Sequence, residues 1–419
     1  MNFLQRAIAG LAGTVGLTAS ASSAAEDRWW GAGAIASLAG QTVTSSTAVQ
    51  HWAVTACLEA LAGPVSTLPL MVFERTGDDT RRVAREHSLF KVLHKQQEFF
   101  DEQQRHLAWY RNAYAFIRPA EDGGPIGSLE GVHPSRVVRV ERGTDGWVYY
   151  TIRRLAPGIG QDVYREDQIW HVRKAPLTED GLRGKPVWET SRETIGKAMA
   201  VEQFGALYFA NGGSGGGVLE HPGDFKDKEA QRSFLEAWRE GGSGLNQHRD
   251  RLLKYGVKYT RPQINNNEAQ FLETKKQSGY EVASIWNMPP HRVGMLERAT
   301  NNNIEQQSIE FVVYTLAPWL SAWEQSAQRN LLIGDDQDNY FVEFNVAGLL
   351  RGDLKTRWAA YAVGRQWGWL SINDVRRLEN MDPIGPDGDE FLSPMNMTPA
   401  GAAAPNGTPP ADPKDNQNA

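Results

Sequence analysis

Several short stretches of this chain carry side chains at spacings that could do chemistry. GGSGG at 212–216 matches the G-x-S-x-G pattern, in which an elbow serine, here Ser214, attacks an acyl carbon. GLRGKP at 181–186 has the glycines and lysine of a phosphate cradle, and GDDQDN at 334–339 alternates carboxylates as a calcium loop does. WNMPPHRVGMLERATNNN at 286–303 leaves a helical pattern through Pro289 and Pro290 into a basic loop that gathers His291, Arg292, Arg298, Asn301, Asn302 and Asn303.

The elements around them decide between these readings. A nucleophile elbow needs a strand before the serine and a helix after it, whereas Ser214 follows a helical pattern and precedes a strand-like one, which makes GGSGG a hinge. GLRGKP is too short for a phosphate loop, and Pro186 stands where a magnesium-binding Ser or Thr belongs. GDDQDN lacks the rest of a calcium loop and reads as a solvated turn, and His133-Pro134 reads as a turn rather than a ligand pair. The single cysteine, Cys57, excludes an intrachain disulfide framework and a thiolate zinc site. No enzyme, resident cofactor or metal is expected.

Length and composition set wider bounds. The 419 residues, 41% hydrophobic and 22% charged, suffice for two or three substructures with buried cores. A formal net charge of -6 argues against a protein that coats nucleic acid, because such binding rests on many Lys and Arg contacts. It does not argue against one that lets DNA pass. No apolar run reaches the roughly 18 residues a membrane span needs. The N-terminal 1–40 has a basic residue, an apolar stretch and small residues around Ala21–Ala25, like a signal peptide, but its middle is Gly and Thr, and it reads as a mobile arm. The Pro-, Gly-, Ala- and Asn-rich 393–419 reads as a disordered tail.

Between these ends the patterns describe an α+β protein. A helix over 48–62 is expected to stop at Gly63-Pro64, LPLMVFER to be a strand, and 89–117 to be helical with Asp101 as its N-cap. IGSLEGVHPSRVVRVE, GWVYYTIRR and DQIWHVR alternate as strands. A helix ends at Asn211-Gly212, a strand-helix-strand insertion follows, and a second helix is expected to run to about Met288, where Pro289 and Pro290 stop it. Val312, Leu316, Trp319, Leu320, Trp323, Ala327 and Leu331 share one face of a long helix that Pro318 should kink. Trp52, Trp319, Trp323 and Trp358 fall at core spacing, and Ser371 with Asp374 has capping-box spacing.

The order of landmarks carries a resemblance. VTACLEALAGPVSTLPLMVFE, HSLFKVLH, RNAYAFIRP, GSLEGVHPSRV, IWHVR, YFANGGSGGGVLEHPG, EAQFLETKKQSGYEVASIWNMPPHRVG, FVVYTLAPWLSAWE and LLRGDLKTRWAAYAVGRQWGWLSINDVRRLENMDPI follow one another over about 48–392. Together they resemble the portal proteins of HK97-type tailed bacteriophages. Arg111 departs from the family's usual G-N-A-Y, and Glu268 with Gln270 from its commoner D-x-Q.

The resemblance implies a dodecameric ring around a central channel. It implies a wing from 41–190 and 304–350, stem helices at 191–211 and 265–288, a clip at 212–264, a tunnel loop at 289–303 and a crown at 351–392. His291, Arg292, Arg298 and Asn301–Asn303 are then the DNA-facing loop, Lys275 and Lys276 a basic band in the stem, and Phe234 and Trp238 the packing of a clip that docks the head-tail adaptor. Implied partners are double-stranded DNA passing non-specifically, the terminase large subunit, the adaptor and the major capsid protein, with no membrane. The implied place is the capsid portal vertex of the virion, after synthesis in the host bacterial cytoplasm. The loop charges have a plainer reading as solvated groups or inter-subunit salt bridges. A rival class, a secreted sugar-binding or hydrolytic protein, rests on the N-terminus and on fourteen tryptophans.

Overall fold

The computed structural model describes residues 36–392, less 77–80, 95, 121–123, 125, 156–159, 211–217, 241–255, 261–266, 296–306, 347–353 and 380. Ser214, Arg298, Asn301–Asn303, residues 1–35 and the tail from 393 lie outside the described residues. The chain falls into two units, Met1–Val346 and Ala347–Ala419.

In the first unit α1 (Trp52–Thr67) leads to β1 (Leu70–Arg75) and β2 (Arg81–Val83), then α2 (Ser88–Leu93) and α3 (Gln97–Tyr110). β3 (Asn112–Arg118), β4 (Ser128–Val132), β5 (Val137–Arg142), β6 (Val148–Arg153), β7 (Gln161–Arg165) and β8 (Ile169–Arg173) follow. α4 (Arg192–Ala210) precedes a small unit of β9 (Val218–Glu220), α5 (Lys228–Glu240) and β10 (Lys258–Thr260), and α6 (Asn267–Ser284) returns from it. A π-helical segment (Phe311–Leu316), α7 (Ala317–Asn330) and β11 (Tyr340–Phe344) complete the unit. The sheets are β11-β1-β2, β4-β3-β8, β5-β6-β7 and β10-β9, with every pairing antiparallel.

Several elements differ from the sequence reading, each for a physical reason. α1 runs through Gly63-Pro64 to Thr67, because Leu61, Ala62 and Val65 are fully buried against α3. That burial outweighs the roughly 3 kcal/mol that an interior proline costs. The stretch 89–117 is two helices and a strand. Arg111, at φ 59°, ends α3, and Asn112 opens β3. Asp101 lies inside α3, paired with Arg105 at 2.8 Å, so it caps nothing. β7, the strand QDVYR, was not anticipated. α6 stops at Ser284, before the two prolines.

The long-helix face is buried as its spacing predicts, from Val312 to Leu331. Pro318 acts through the π-helical segment before it, where the Ala317 N–H reaches back to the Val312 carbonyl. The core is aromatic. Trp323 stands 5.6 Å from Phe100 and 5.2 Å from Trp170 between ring centroids, and its Nε1–H donates to Gln104 Oε1 at 2.7 Å. Trp170 donates to Ser326 Oγ at 3.1 Å, so both buried indoles are satisfied.

The second unit holds α8 (Leu354–Gln366) and α9 (Ile372–Leu378). Ser371 caps α9, accepting from the Asp374 N–H at 3.0 Å while the Asp374 carboxylate accepts from the Ser371 N–H. Trp358, expected in a core, is 56% exposed, because helical spacing marks a face without saying what covers it.

Three imidazoles are kept neutral by the core. Burial, with His133 second, draws His106 down to about 3, and burial with Arg173 and Arg183 draws His171 well below its usual range. His171 holds the Nε2–H tautomer, donating to Asn112 Oδ1 at 3.0 Å while Nδ1 accepts from Tyr150 Oη at 3.2 Å. Burial and then Lys275 draw His51 down to about 4. Each folded value lies below the unfolded one, so protons favour the unfolded chain. The stability is whole above pH 6.5 and is lost as pH falls from 6.5 through 4. His51 alone accounts for roughly 3 kcal/mol of it. Melting temperature measured from pH 7.5 to 4.5 should fall steeply below 6.5, and His51→Gln should flatten part of the fall. A pH-independent melting temperature contradicts the neutral-core assignment.

Candidate functional site

α4 and α6 run antiparallel, with Lys197 Nζ against Glu281 at 2.9 Å near one end and Phe204 against Phe271, 5.8 Å between ring centroids, farther along. Gly205 permits this approach, since a Cβ there would sit 2.4 Å from Phe271 Cζ. Gly279 does the same for Trp52, at 2.9 Å. The pair leaves much of itself uncovered. Residues 272–277 are exposed through nearly two turns, and Phe204, Leu207, Phe209 and Leu272 are exposed hydrophobics.

Lys275 and Lys276 lie on this exposed run. The charge of Lys275 reaches both Glu202 and His51, while His51 Nε2 is 4.0 Å from Glu202 Oε1, so Lys275 also serves a buried junction between α1 and the helix pair. Sequence periodicity gave no sign of that junction, because its partners are more than 70 residues apart.

The chain leaves α6 by a turn whose stop is Asn287 at φ 52°, with the Met288 N–H bonded to the Ala283 carbonyl at 3.0 Å. Trp286 is buried and donates to the Ala108 carbonyl at 3.0 Å, which pins the end of the helix to α3. Pro289 is extended and Pro290 opens a 3-10 turn (Pro290–Val293) that Gly294 closes at φ 82°. The prolines therefore shape the exit rather than end the helix.

On that turn the Arg292 guanidinium lies 4.4 Å from the Phe311 ring centroid, and burial lowers its pKa. His291 is half-buried with Nε2 unpaired, its pKa lowered by burial and then by Arg292. Thr315 Oγ1 donates to the Asn287 carbonyl at 2.6 Å, and Asn287 Nδ2 donates to the Tyr314 carbonyl at 3.3 Å, which ties the exit to the π-helical segment. A cleft of about 370 Å³ opens between them, lined by Tyr280, Ser284, Asn287, Pro289, Glu310 and Tyr314 among others.

In the small unit between the helices, Trp238 is 5.2 Å from Tyr259, which seats α5 on the antiparallel β9-β10 pair, and Phe234 is 5.5 Å from Phe225 in the segment before α5. The GLRGKP segment is a structural tie, since Asn112 Oδ1 accepts from the Gly184 N–H at 2.9 Å and Asn112 Nδ2 donates to the Gly184 carbonyl at 2.9 Å. His133 Nδ1 accepts from the Ser135 N–H at 3.2 Å and so begins a short turn. Among the described residues no group of three or more His, Cys, Asp or Glu could hold a metal, and no helix is long and apolar enough to cross a membrane.

A mixed helix-and-sheet body interrupted by a helix pair that carries a small α/β unit is the portal fold of tailed-phage heads. Solved structures share it. An HK97-family phage portal protein from Corynebacterium diphtheriae superposes with a TM-score of 0.53 at 14% identity, over 74% of this chain and 98% of that one. A chain from the neck of an empty GTA particle, computed with C6 symmetry, does so with 0.54 at 18% identity, over 86% and 99%. In sequence, the Phage portal protein family model matches residues 52–380, and this chain belongs to that family. It is 29% identical to the probable portal protein of Streptomyces phage phiC31, over 87% of this chain and 82% of that one. To the portal protein of Enterobacteria phage HK97 it is also 29% identical, over 82% and 81%. The secreted sugar-binding or hydrolytic reading falls with this, and Trp109, Trp170, Trp188, Trp286, Trp319 and Trp323 are core residues.

The close crossing at Gly205 yields a test. Gly205→Val should lower stability by roughly 1–3 kcal/mol through overpacking against Phe271, and adding Phe271→Ala should recover part of the loss. Additive losses in urea unfolding contradict a direct contact.

Proposed function

We propose that this chain assembles as a closed ring, dodecameric in the particle, which forms the DNA channel at one capsid vertex for packaging, retention and ejection of the genome. The observation that carries this is the helix pair itself. Two long helices with exposed Phe204, Leu207, Phe209 and Leu272 make poor sense in an isolated chain, and cyclic neighbours cover such faces without leaving an open end. Relatives of the same fold come from particle necks computed with C6 and with C12 symmetry, which supports a cyclic assembly here.

In this reading 41–190 with 304–350 is the wing, α4 and α6 are the stem, 212–264 is the clip, 289–303 is the tunnel loop and 351–392 is the crown. DNA passes the loop without being gripped. The excess of 50 acidic over 44 basic residues, multiplied around a ring, keeps the channel weakly repulsive. His291, Arg292, Arg298 and Asn301–Asn303 then supply a few adjustable contacts, and Lys275 and Lys276 a basic band. The clip docks the head-tail adaptor, and the ring as a whole meets the terminase large subunit and the major capsid protein. The family is structural, so no catalytic step is assigned to it.

Electron micrographs of the purified protein should show rings with a central hole. Arg292→Ala with Arg298→Ala should leave those rings intact and lower the amount of DNA packaged or retained. Normal packaging by the double variant removes this loop from the DNA path. Deleting 225–245 should abolish adaptor binding, and undiminished binding places the adaptor elsewhere.

A further inference from the structure

Arg111 stands between α3 and β3, in left-handed backbone at φ 59°, with its side chain only 9% exposed. Its guanidinium carbon is 5.6 Å from the Trp319 ring centroid, and Lys174 Nζ is 4.7 Å from the same centroid. The Lys174 N–H donates to the Arg111 carbonyl at 3.0 Å, so the backbone itself fastens the two cations side by side. Gly184 closes the back of the junction, where a Cβ would lie 2.3 Å from the Arg111 oxygen.

Nothing in the described chain balances this pair. Arg111 Nε is buried without a hydrogen-bond partner, and neither cation has an ion pair among the described residues. Lys174 Nζ donates to the Pro318 carbonyl at 2.8 Å, a neutral acceptor that uses one of its three protons. Two acidic groups of the adjoining elements, Asp180 and Glu324, are engaged elsewhere, and the exposed Glu179 makes no ion pair with either cation. Asp180 accepts from Thr178 Oγ1 and from the Leu182 N–H at 2.9 Å, and Glu324 accepts from the Phe344 N–H at 2.9 Å. Besides Lys174 and Asp180, the charged side chains of the 173–185 segment are Glu179 and the three cations Arg173, Arg183 and Lys185, so the local field is positive. Burial first, and the Arg111 charge second, bring the Lys174 ammonium down to about 8.

Two cations held together on one indole, partly out of water, gain from a counter-charge brought from outside beyond what the ring and the Pro318 carbonyl supply. We propose that Arg111, Lys174 and Trp319 form a binding site for a single oxyanion, a carboxylate or phosphate group, that the described residues of this chain do not supply. The guanidinium fork suits two oxygens of such a group, and the ammonium adds a point charge beside it. A duplex backbone is a poor occupant, because a side chain 9% exposed admits a single small group and not a rigid rod. The group comes either from an acidic side chain of a second copy or from free phosphate. The site itself does not depend on ring formation.

Arg111→Gly is a clean probe, since glycine prefers the left-handed backbone that Arg111 occupies. Lys174→Gln removes the other charge. Thermal unfolding of dilute, unassembled full-length protein in sodium phosphate should be compared with sodium chloride at equal ionic strength. The wild type should gain more from phosphate than either variant, with an apparent phosphate affinity about tenfold tighter. Equal phosphate responses in all three proteins overturn the proposal. Assembled protein then identifies the source. If a neighbour's carboxylate fills the site, the phosphate response disappears on assembly and the variants' assemblies dissociate at lower salt. If a free anion fills it, the response persists and the salt needed for dissociation is unchanged.

Discussion

The first unit depends on a small number of indole hydrogen bonds made across long sequence separations. Its main body is built from two segments with the helix pair and its small unit inserted between them, and nothing local holds such segments together. Trp323 reaches Gln104, 219 residues away, and Trp170 reaches Ser326 across 156. An indole is large enough to fill a core and has one donor that cannot be left dry, so each bond fixes orientation as well as contact. Trp286 applies the same constraint at the foot of α6 by donating to the Ala108 carbonyl. The inserted helices are thereby anchored at the end where they leave the body, and their other end can carry the small unit outward.

That anchoring explains the uneven character of the helix pair. Near the body its residues are buried, with Val282 and Ala283 at 0–1% exposure, and it behaves as core. Farther out, 272–277 are exposed and only close contacts such as Gly205 with Phe271 hold the helices together. Small residues let the backbones approach without much apolar area, so the outer part of the pair gains little from its own chain. The closed ring proposed for this family member satisfies all copies equally and leaves no exposed end.

How much of this was legible in the sequence followed from the range of each determinant. Ser371 with Asp374 is a three-residue spacing, and the capping box is present. The apolar face from Val312 to Leu331 is a local period, and it is buried. The stop of α1 was misjudged because Pro64 is a local signal overruled by packing against α3, which periodicity does not report. The helix expected over 89–117 failed at Arg111, whose left-handed backbone is supported by Asn112 bonds to Gly184 more than 70 residues on. At the candidate site, both helices were visible as patterns. The pairing of Arg292 with Phe311, the His51–Glu202–Lys275 junction and the π-helical segment were not, since each depends on which distant surfaces meet.

The stacking of Arg292 on Phe311 also bears on the proposal that this loop touches DNA without gripping it. A cation–π contact at a half-exposed site is worth about 0.5–2 kcal/mol, comparable to what one phosphate contact returns after counterion release. An arginine held at that strength is neither fixed nor free. In the channel proposed above it exchanges its ring for a passing phosphate and returns with little net change, so the proposed loop imposes friction without a deep well. A lysine on a solvated loop has no such resting place, and a salt-bridged arginine leaves a buried carboxylate behind when it moves. Phe311 opens the π-helical segment that Thr315 and Tyr314 tie to Asn287, so the ring serving as that resting place is fastened to the turn that follows α6.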